Sequence, residues 1–306
     1  MMDKGFPLVS IVMCTFNGER FIKEQLSSLE QQTYPNIEFI CSDNNSTDAT
    51  SSILKNWCSQ NPNRNFFTCP VKGLNSNFYS ALAHASGEYI IFCDQDDVWI
   101  KDKVEKLVAF HQQNPQSSMV YCLSKEFNGE VPADTVIGKR NYLEGTDLRK
   151  TMLISFTLGH NICIKKEVLQ KMPPSPDEVI AFDWWITVSA MCIGPVKCLP
   201  EVLTFWRKHS NNTTLFLNSD LFYKSRIAYL NRFYNNPLLK QDHKEWIDKM
   251  MKYLSELENK KFSFGLLKFY LINANTIFFY KTKKNPFTKW ISFFKWSVRM
   301  SKQSHQ

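Results

Sequence analysis

The sequence predicts an α/β fold with a mostly parallel central sheet. Short apolar runs rich in β-branched residues, such as residues 8–13 and 89–93, indicate buried strands. Segments with apolar residues at helical spacing lie between these runs, and such alternation is typical of parallel sheets. Polar clusters directly follow several of the predicted strands, at the edge where open α/β sheets bind their ligands.

The individual elements follow from local patterns. Residues 19–32 form the first predicted helix because Ile22, Leu26 and Leu29 recur at helical spacing. Ser46 or Thr47 is a candidate cap for a helix that reaches about residue 57. The other predicted strands are residues 37–41, 66–71, 159–164 and 202–206, and the other helices are residues 78–85 and a helix that begins at 181. His84 and His111 are expected on helix surfaces.

Three polar clusters lie at the ends of predicted strands, namely Thr15 with Asn17, Asp43 with Asn44, and Asp94 to Asp97. Because the carboxyl ends of parallel strands meet at one edge, we expect these clusters to converge on one site. The first strand-to-helix turn contains a single glycine, and both G-x-G-x-x-G and the P-loop pattern are absent. These absences argue against a Rossmann dehydrogenase and a P-loop kinase.

The third cluster, in FCDQDDVW, places three carboxylates within four residues after a buried strand. Like charges so close together raise one another's pKa unless a positive charge lies among them. A hard divalent ion such as Mg²⁺ or Mn²⁺ suits these oxygens. The alternative is a helix N-terminus, where Asp97 or Asp102 favours the helix dipole.

The charge is unevenly distributed along the 306 residues. Residues 1–220 carry 20 Lys and Arg against 24 Asp and Glu, whereas residues 221–306 carry 17 against 5. The basic excess therefore belongs to the C-terminal quarter, which predicts an appendage that meets something acidic. No apolar signal segment opens the chain and its nine cysteines include no C-x-x-C pair, so we expect a reducing cytoplasm.

Four motifs in order resemble inverting family 2 glycosyltransferases of the GT-A fold. The opening "LVSIVMCTFNGERFIKEQLSSLEQQTYPNIEFICSDNNSTDAT" is similar to the start of these enzymes, and "NSNFYSALAHASGEYIIFCDQDDVW" is similar to their donor-and-metal segment. The D-Q-D-D-x-W form, with "FDWW" and "LTFWRKHSNNTT" downstream, resembles the bacterial rhamnosyltransferase-like branch. The resemblance covers about residues 7–215 and implies a GT-A catalytic domain over residues 1–215.

The resemblance also implies roles for individual residues. Asp43 matches the acid that reads a uracil or thymine ring, and Asp96 matches the principal metal ligand. The metal, Mn²⁺ or Mg²⁺, is also assigned to Asp94 and His209, and imidazole favours Mn²⁺. The remaining donor-binding candidates are Thr15, Asn17, Asn44, Asn77, Asp94 and Gln95.

Asp183 is the predicted general base, since inversion needs one base to deprotonate the attacking hydroxyl. Phe182, which replaces a histidine of the resembling branch, and the two following tryptophans are expected to dehydrate this carboxylate and raise its pKa. The alternative is that Asp183 caps a helix. The acceptor-side candidates are Gly159, His160, Trp184 and Trp185.

Residues 216–306 are predicted to form a basic, aromatic-rich helical extension, with helices near 221–234, 241–259, 264–281 and 286–299. The apolar run 264–280 is too short for a confident membrane span, which needs about 20 residues. Cations interleaved with aromatics favour a segment that lies on an anionic membrane. The alternative is a packing domain whose aromatics form a core, and both can hold at once.

Together these observations predict a bacterial inverting glycosyltransferase that uses a UDP- or dTDP-sugar, with dTDP-rhamnose suggested by the branch. Its acceptor would be a saccharide, lipid-linked or free, of surface polysaccharide such as O-antigen or capsule, handled at the cytoplasmic face of the inner membrane. A metal-dependent nucleotidyltransferase is the first alternative, but Arg20 and Lys23 are too few for a triphosphate site. The second alternative is a nucleic-acid-binding protein that uses the basic tail. It leaves the acidic cluster unexplained, so no nucleic-acid partner is expected.

Overall fold

The computed structural model describes residues 5–138, 140–210, 222–281 and 285–302. Its chain divides into two compact units, of which the first comprises Met1–Ile137 and Thr157–His209 and the second comprises Gly138–Phe156 and Ser210–Gln306. Residues 138–156, which the sequence analysis assigned to the catalytic domain, group with the C-terminal helices. The predicted domain boundary after residue 215 lies outside the described residues, and the domain assignment stays a prediction.

The described part of the first unit contains one eight-stranded sheet, in the order β3-β2-β1-β4-β7-β6-β8-β5. Four of its seven neighbouring pairs are parallel, namely β1 with β2, β1 with β4, β2 with β3, and β6 with β8. The strands are β1 Val9–Thr15, β2 Ile37–Asp43, β3 Arg64–Thr68, β4 Tyr89–Cys93, β5 Val98–Trp99, β6 Met119–Phe127, β7 Ile162–Lys165 and β8 Val196–Arg207. The predicted α/β fold with a mostly parallel sheet is confirmed.

The parallel half of the sheet brings the polar clusters together. Strand β1 is buried along its whole length between β2 and β4, and its register pairs Thr15 with Asp43 and Met13 with Cys93. The three strands therefore end at the same edge. Their polar extensions, which follow directly in the chain, start from neighbouring positions.

The helices of the first unit are α1 Ile22–Glu30, α2 Thr50–Ser59, α3 Leu74–Leu82, α4 Lys103–Gln113, α5 Lys166–Leu169 and α6 Phe182–Ile193. Helix α3 begins four residues earlier than predicted. Glu178 accepts hydrogen bonds from the backbone N–H groups of Asn75 (2.8 Å) and Ser76 (2.9 Å), so a distant residue satisfies the first turn. A cap from so far along the chain leaves no local signal in the sequence.

Other elements also differ from the predictions. Residues 159–161 form a short 3₁₀ turn that precedes β7, where a strand was expected. Strand β6 was not predicted because its second half, including Ser124 and Glu126, is polar. The expectation that His111 lies on the surface is wrong, since it is fully buried with Nε2 3.0 Å from the Ser117 carbonyl oxygen. Burial lowers the pKa of His111 to about 4.

The second unit contains the helices α7 Phe222–Tyr234, α8 Gln241–Ser255, α9 Phe264–Ile272, α10 Ala274–Ile277 and α11 Pro286–Met300. The helix predicted over 264–281 is interrupted at Asn273, whose side chain donates to the Phe269 carbonyl (2.8 Å) and accepts from the indole of Trp246 (3.2 Å). Within the described ranges, no helix is both long and apolar enough to span a bilayer.

Candidate active site

The first cluster forms around the carboxylate of Asp43 at the end of β2. Thr15 donates its hydroxyl to Asp43 Oδ1 at 2.7 Å, and Ser46 donates both its hydroxyl (2.6 Å) and its backbone N–H (2.9 Å) to the same carboxylate. Both Thr15 and Asp43 are buried. The two strand ends are thus joined through their side chains, as the parallel register requires.

Asn17 holds the loop after β1 against the loop after β2. Its side-chain oxygen accepts from the Thr47 backbone N–H at 2.8 Å, and its own N–H donates to the Ser46 hydroxyl at 2.9 Å. Asn17 has φ +47°, a left-handed conformation that asparagine tolerates better than most residues. The predicted donor residues Thr15, Asn17 and Asp43 therefore form one connected network.

Asn44 and Asn77 connect this network to the start of α3. Asn44 donates to the Val71 carbonyl (2.7 Å) and accepts from the Gly73 N–H (3.0 Å). Asn77 is buried, accepts from the Ser42 hydroxyl at 2.6 Å and donates to the Ser42 carbonyl at 3.2 Å. Asn77 thus supports the end of β2, and its hydrogen bonds give it a positioning role in this structure.

Gln95, the uncharged member of the acidic turn, pairs with backbone. Its side chain accepts from the Phe16 N–H at 2.9 Å and donates to the Phe16 carbonyl at 3.0 Å. Gly18 allows this close approach, because a Cβ there would lie 2.3 Å from Gln95 Oε1. The loop after β1 and the acidic turn are therefore held together by one amide.

His160 lies between two of the three acids. Its Nδ1 is 3.0 Å from Asp94 Oδ2 and 3.0 Å from Asp97 Oδ2, and both His160 and Asp97 are buried. Burial lowers the pKa of His160, but Asp97 and Asp94 outweigh this effect and raise it overall. Burial and the neighbouring acids raise the pKa of Asp97. Of the two acids considered for a helix N-terminus, Asp102 occupies the N-cap position of α4 and Asp97 does not.

These three side chains fit a divalent cation. One ligand atom each from Asp94, Asp97 and His160 lies within 4.8 Å of the other two. Asp97 Oδ2 is buried and makes no hydrogen bond beyond its 3.0 Å contact with His160 Nδ1, so a cation there would offset the cost of burying its charge. Carboxylate oxygens with one imidazole suit Mn²⁺ and also Mg²⁺.

A second acid–histidine pair contains Asp96 and His209, two of the three metal ligands predicted from the sequence. His209 Nε2 is 2.8 Å from Asp96 Oδ2, and both side chains are largely buried. Burial and Asp94 raise the pKa of Asp96, while the hydrogen bond with His209 opposes this rise. The acidic turn therefore has a histidine on either side: the predicted His209, and His160, which was expected on the acceptor side.

Two buried cationic residues make hydrogen bonds to the acidic turn and to the neighbouring His160. Arg207 donates its backbone N–H to Asp97 Oδ1 (3.1 Å) and its Nε to the Asp96 carbonyl (2.9 Å). Lys103 donates its ammonium to the His160 carbonyl (2.6 Å) and the Thr204 hydroxyl (2.7 Å), and burial lowers its pKa to about 8. Neither residue was predicted from the sequence, although Lys103 lies on the helix after the acids and Arg207 lies two residues before His209.

Asp183, the predicted base, lies in the first turn of α6. One carboxylate oxygen accepts from the Gly159 N–H at 3.1 Å and the other from the Trp184 N–H at 2.7 Å. Burial and the charge of Asp94 raise the pKa of Asp183 to about 6, although these two N–H groups oppose the shift. The N-cap position belongs to Ala181, so the helix-cap alternative for Asp183 is wrong.

The aromatic residues beside Asp183 belong to the protein interior. Phe182 stacks on Phe78 with ring centroids 3.8 Å apart, and a Cβ at Gly159 would lie 2.6 Å from its Cζ. Trp184 and Trp185 are both buried, and the Trp185 indole donates to the Pro173 carbonyl at 2.8 Å. Their burial accounts for the dehydration of Asp183, but it leaves no open ring face for an acceptor sugar in this structure.

Comparison with known proteins identifies the family. The family model "Glycosyl transferase family 2" matches residues 10–172, which is more than half of the chain. An uncharacterised protein of Mycobacterium tuberculosis is 26% identical over 211 residues, covering 66% of this chain and 59% of that protein. The chain thus spans less than two thirds of that relative's length. The "GalNAc(5)-diNAcBac-PP-undecaprenol beta-1,3-glucosyltransferase" of Campylobacter jejuni is 29% identical over 147 residues, covering 45% of this chain and 48% of that enzyme.

A solved structure agrees with the fold. Residues 1–349 of S. aureus TarS, in complex with UDP-GlcNAc, superpose with a TM-score of 0.61 and 20% identity, covering 95% of this chain and 81% of that one. This likeness supports the GT-A fold. The residues matched by the family model, 10–172, include the acidic turn and the ends of strands β1, β2 and β4. The chain belongs to glycosyl transferase family 2.

Proposed function

We propose that the protein is an inverting glycosyltransferase that moves a sugar from a UDP- or dTDP-sugar to a saccharide acceptor. The observation that carries the proposal is a set of contacts made by two consecutive residues, Gly159 and His160. The Gly159 N–H holds Asp183, while the His160 ring contacts Asp94, so two consecutive residues connect the candidate base with the acidic turn. A base beside a diphosphate-binding site is what direct displacement at an anomeric carbon requires.

In the proposed reaction, Asp183 accepts the proton of the acceptor hydroxyl as its oxygen attacks the anomeric carbon. The bond between that carbon and the diphosphate oxygen breaks, and the nucleoside diphosphate leaves with the bonding electron pair. Asp183 suits this task because a pKa of about 6 leaves it deprotonated at neutral pH yet more basic than an ordinary aspartate. Gly159 and Trp184 orient the carboxylate through their N–H groups.

The nucleotide is assigned to the network at the ends of β1 and β2. Asp43 would read the base, with Thr15, Asn17 and Asn44 beside it. Asn77 and Gln95 would position this network through their hydrogen bonds with Ser42 and Phe16. A resident Mn²⁺ or Mg²⁺ would be held by Asp94, Asp96 or Asp97 with His160 or His209, and when bound it stabilises negative charge on the leaving diphosphate.

The acceptor is proposed to be a saccharide carried on a lipid diphosphate in the assembly of a bacterial surface polysaccharide. The name of the Campylobacter jejuni relative, which ends in PP-undecaprenol, supports this class. dTDP-rhamnose is one donor that fits the proposal, and it rests on the motif resemblance alone. A lipid-linked acceptor would place the enzyme at the cytoplasmic face of the inner membrane.

Helix α11 supplies a surface for such an association. Phe287, Trp290 and Phe294 recur at helical spacing with exposed fractions of 69%, 60% and 41%, while Phe293 on another side of the helix is buried. Exposed aromatics beside lysines are typical of helices that lie in a membrane interface. We expect the double variant Trp290→Ser/Phe294→Ser to sediment less with vesicles of anionic phospholipid than the wild type, and Val136→Ser, which changes an exposed apolar residue in the first unit, to sediment normally.

The proposed donor site can be tested without knowing the acceptor. Melting temperatures would be measured with Mn²⁺ and UDP, dTDP, GDP or CMP. A ligand at 100 times its Kd stabilises the native state by about 2.7 kcal/mol. We expect UDP or dTDP to raise the melting temperature only with metal, Asp96→Ala to lose this rise, and Asp248→Ala, at an exposed position, to keep it. If none of the four nucleotides raises the melting temperature, with or without metal, the proposal is contradicted.

A further inference from the structure

An apolar cavity lies within the second unit, and none of its lining residues has been assigned a role above. Its lining comes from three segments: residues 150–156, residues 277–280, and Trp296 with Met300 on α11. All of these belong to the same compact unit. The proposed transfer reaction uses none of them, so the cavity needs its own explanation.

The lining is apolar with one cationic exception. Leu153, Ile277 and Phe278 are buried and form its interior, whereas Lys150 contributes the only charged side chain among the lining residues. Lys150 donates to the Glu144 carbonyl at 3.0 Å and lies 5.6 Å from the centroid of the Phe279 ring. An apolar interior with a single cation suits a ligand that is hydrocarbon over most of its length and anionic at one end.

A second cation lies against the lining rings. Lys281 Nζ is 3.9 Å from the ring centroid of Trp296 and 4.8 Å from that of Tyr280, and both rings line the cavity. Asp147 forms an ion pair with Arg149, with Arg149 Nε 2.8 Å from Asp147 Oδ1, and also interacts with the charge of Lys150. Residues 138–156 still carry four Lys and Arg against two acids, and residues 221–306 carry 17 against 5, so both segments of the second unit have an excess of positive charge.

The size and opening of the cavity limit what it can hold. Its volume is about 90 Å³, below the roughly 150 Å³ of an engineered apolar cavity that binds benzene. Among the described lining residues, Ile154 is the one with an exposed side chain (36%), so we place the solvent side of the cavity at that residue. A sugar or nucleotide is too large and too polar for this space, whereas a slender hydrocarbon segment can enter from the open side.

We propose that this cavity binds part of the hydrocarbon chain of an anionic lipid, with the phosphate of that lipid near Lys150. Helix α11 carries apolar side chains on two sides: Trp296 and Met300 line the cavity, and Trp290 and Phe294 are exposed to solvent. A lipid chain in the cavity and a membrane against the exposed aromatics would use both sides. Only the identification of this lipid with a glycosyl acceptor rests on the proposed function; the binding itself does not.

The probe is farnesyl phosphate, a short isoprenoid phosphate, titrated into the full-length protein by calorimetry. Farnesol and inorganic phosphate, titrated separately, distinguish the contribution of the chain from that of the charge. We expect farnesyl phosphate to bind most tightly, farnesol at least about tenfold more weakly because it lacks the charge that Lys150 meets, and inorganic phosphate not at all.

Two variants with matched controls locate the site. Ile154→Trp fills the open side and should weaken farnesyl phosphate by more than about tenfold, whereas Ile272→Trp, at a 73% exposed position in the same unit, should not. Lys150→Gln should weaken farnesyl phosphate but leave farnesol unchanged, and Lys268→Gln, at an exposed lysine, should change neither. Far-ultraviolet circular dichroism and the melting temperature establish that each variant is folded.

Several outcomes would overturn the inference. If Ile154→Trp binds farnesyl phosphate as tightly as the wild type does, the cavity is not the binding site. If the wild type binds a farnesyl ammonium as tightly as farnesyl phosphate, Lys150 does not recognise the negative charge of the ligand. Binding only to phospholipid vesicles, and lost in Trp290→Ser/Phe294→Ser, would assign the lipid contact to the surface of α11. Failure of the metal and nucleotide titration leaves this result unaffected, so the two proposals fail separately.

Discussion

Asp183→Asn tests whether the surroundings of the candidate base shift its pKa as the structure indicates. Asparagine resembles the neutral acid in shape and in offering one oxygen to the N–H groups of Gly159 and Trp184. A pKa of about 6 in place of 3.8 means that ionising Asp183 in the folded protein costs about 3 kcal/mol. This cost is absent below pH 3.8, appears as the pH rises toward about 6, and is constant above it.

The stability of the variant relative to the wild type should therefore rise by up to about 3 kcal/mol between pH 4 and pH values above 6. This rise adds to a pH-independent loss of about 1–3 kcal/mol, because the asparagine NH2 group cannot accept from one of the two N–H groups. Urea denaturation of both proteins across this pH range measures the difference, and Asp248→Asn provides an exposed control. Release of nucleoside diphosphate from the donor should fall by about 10²–10⁴ in Asp183→Asn. In the wild type it should fall about tenfold per pH unit below pH 6, because only the deprotonated carboxylate accepts a proton. A stability difference that does not change with pH would refute the raised pKa, and undiminished turnover in the variant would refute the role as base.

Three further perturbations test the surroundings of the site. We expect Mn²⁺ to raise the melting temperature of the wild type and not that of Asp97→Asn, and a retained rise in the variant would remove Asp97 from the ligand set. Without metal at pH 8 the variant should melt no lower than the wild type, because a buried carboxylate near His160 is replaced by a neutral group. Gly159→Ala should lower the free energy of unfolding by about 1–3 kcal/mol, since the new Cβ would lie 2.6 Å from Phe182 Cζ, and unchanged urea denaturation would show that the ring moves freely. Asn75→Ala removes hydrogen bonds to the carbonyls of residues 177 and 180, both 2.7 Å, so limited proteolysis should cut residues 175–180 faster, and an unchanged cleavage rate would exclude this support.

Much of the catalytic unit was predictable because the signals are local. The apolar runs predicted strands β1, β2 and β4, and the polar residues after them predicted the edge at which they converge. Two adjacent parallel strands that end at the same level have their last residues side by side. The pairing of Thr15 with Asp43 could therefore be expected. Asp183 was selected as the candidate base by motif resemblance, and its burial among aromatic residues was predictable from the sequence FDWW.

The partners of the acids were not predictable. His160 was expected on the acceptor side because the sequence does not indicate that β7 pairs antiparallel with β4, which brings the turn before β7 to the acidic turn. Asp97 was open to interpretation as a helix cap because neighbouring carboxylates look alike in sequence; only burial and the contact with Arg207 separate them. Lys103 has the sequence of an ordinary first-turn lysine, yet its ammonium is buried under His160.

In the C-terminal part, too, local patterns were predictable from the sequence and long-range contacts were not. Its composition predicted a basic helical unit with many aromatics, and periodicity located most of its helices to within a few residues. Hydropathy could not show that Asn273 interrupts the apolar run, because the side-chain contacts of Asn273 with Trp246 and Phe269 form only after folding. It also could not show that residues 138–156 join this unit and complete an apolar cavity there.

By itself, the sequence determined the strand and helix pattern, the order of the family motifs, the identity of the acids and the uneven distribution of charge, because each depends on neighbouring residues. The tertiary structure decided which histidine faces which acid, which carboxylate is buried, which asparagines are used for support, and which aromatics are exposed. These properties depend on contacts between residues tens or hundreds of positions apart, and burial in such contacts is what shifts pKa values and leaves polar atoms without partners.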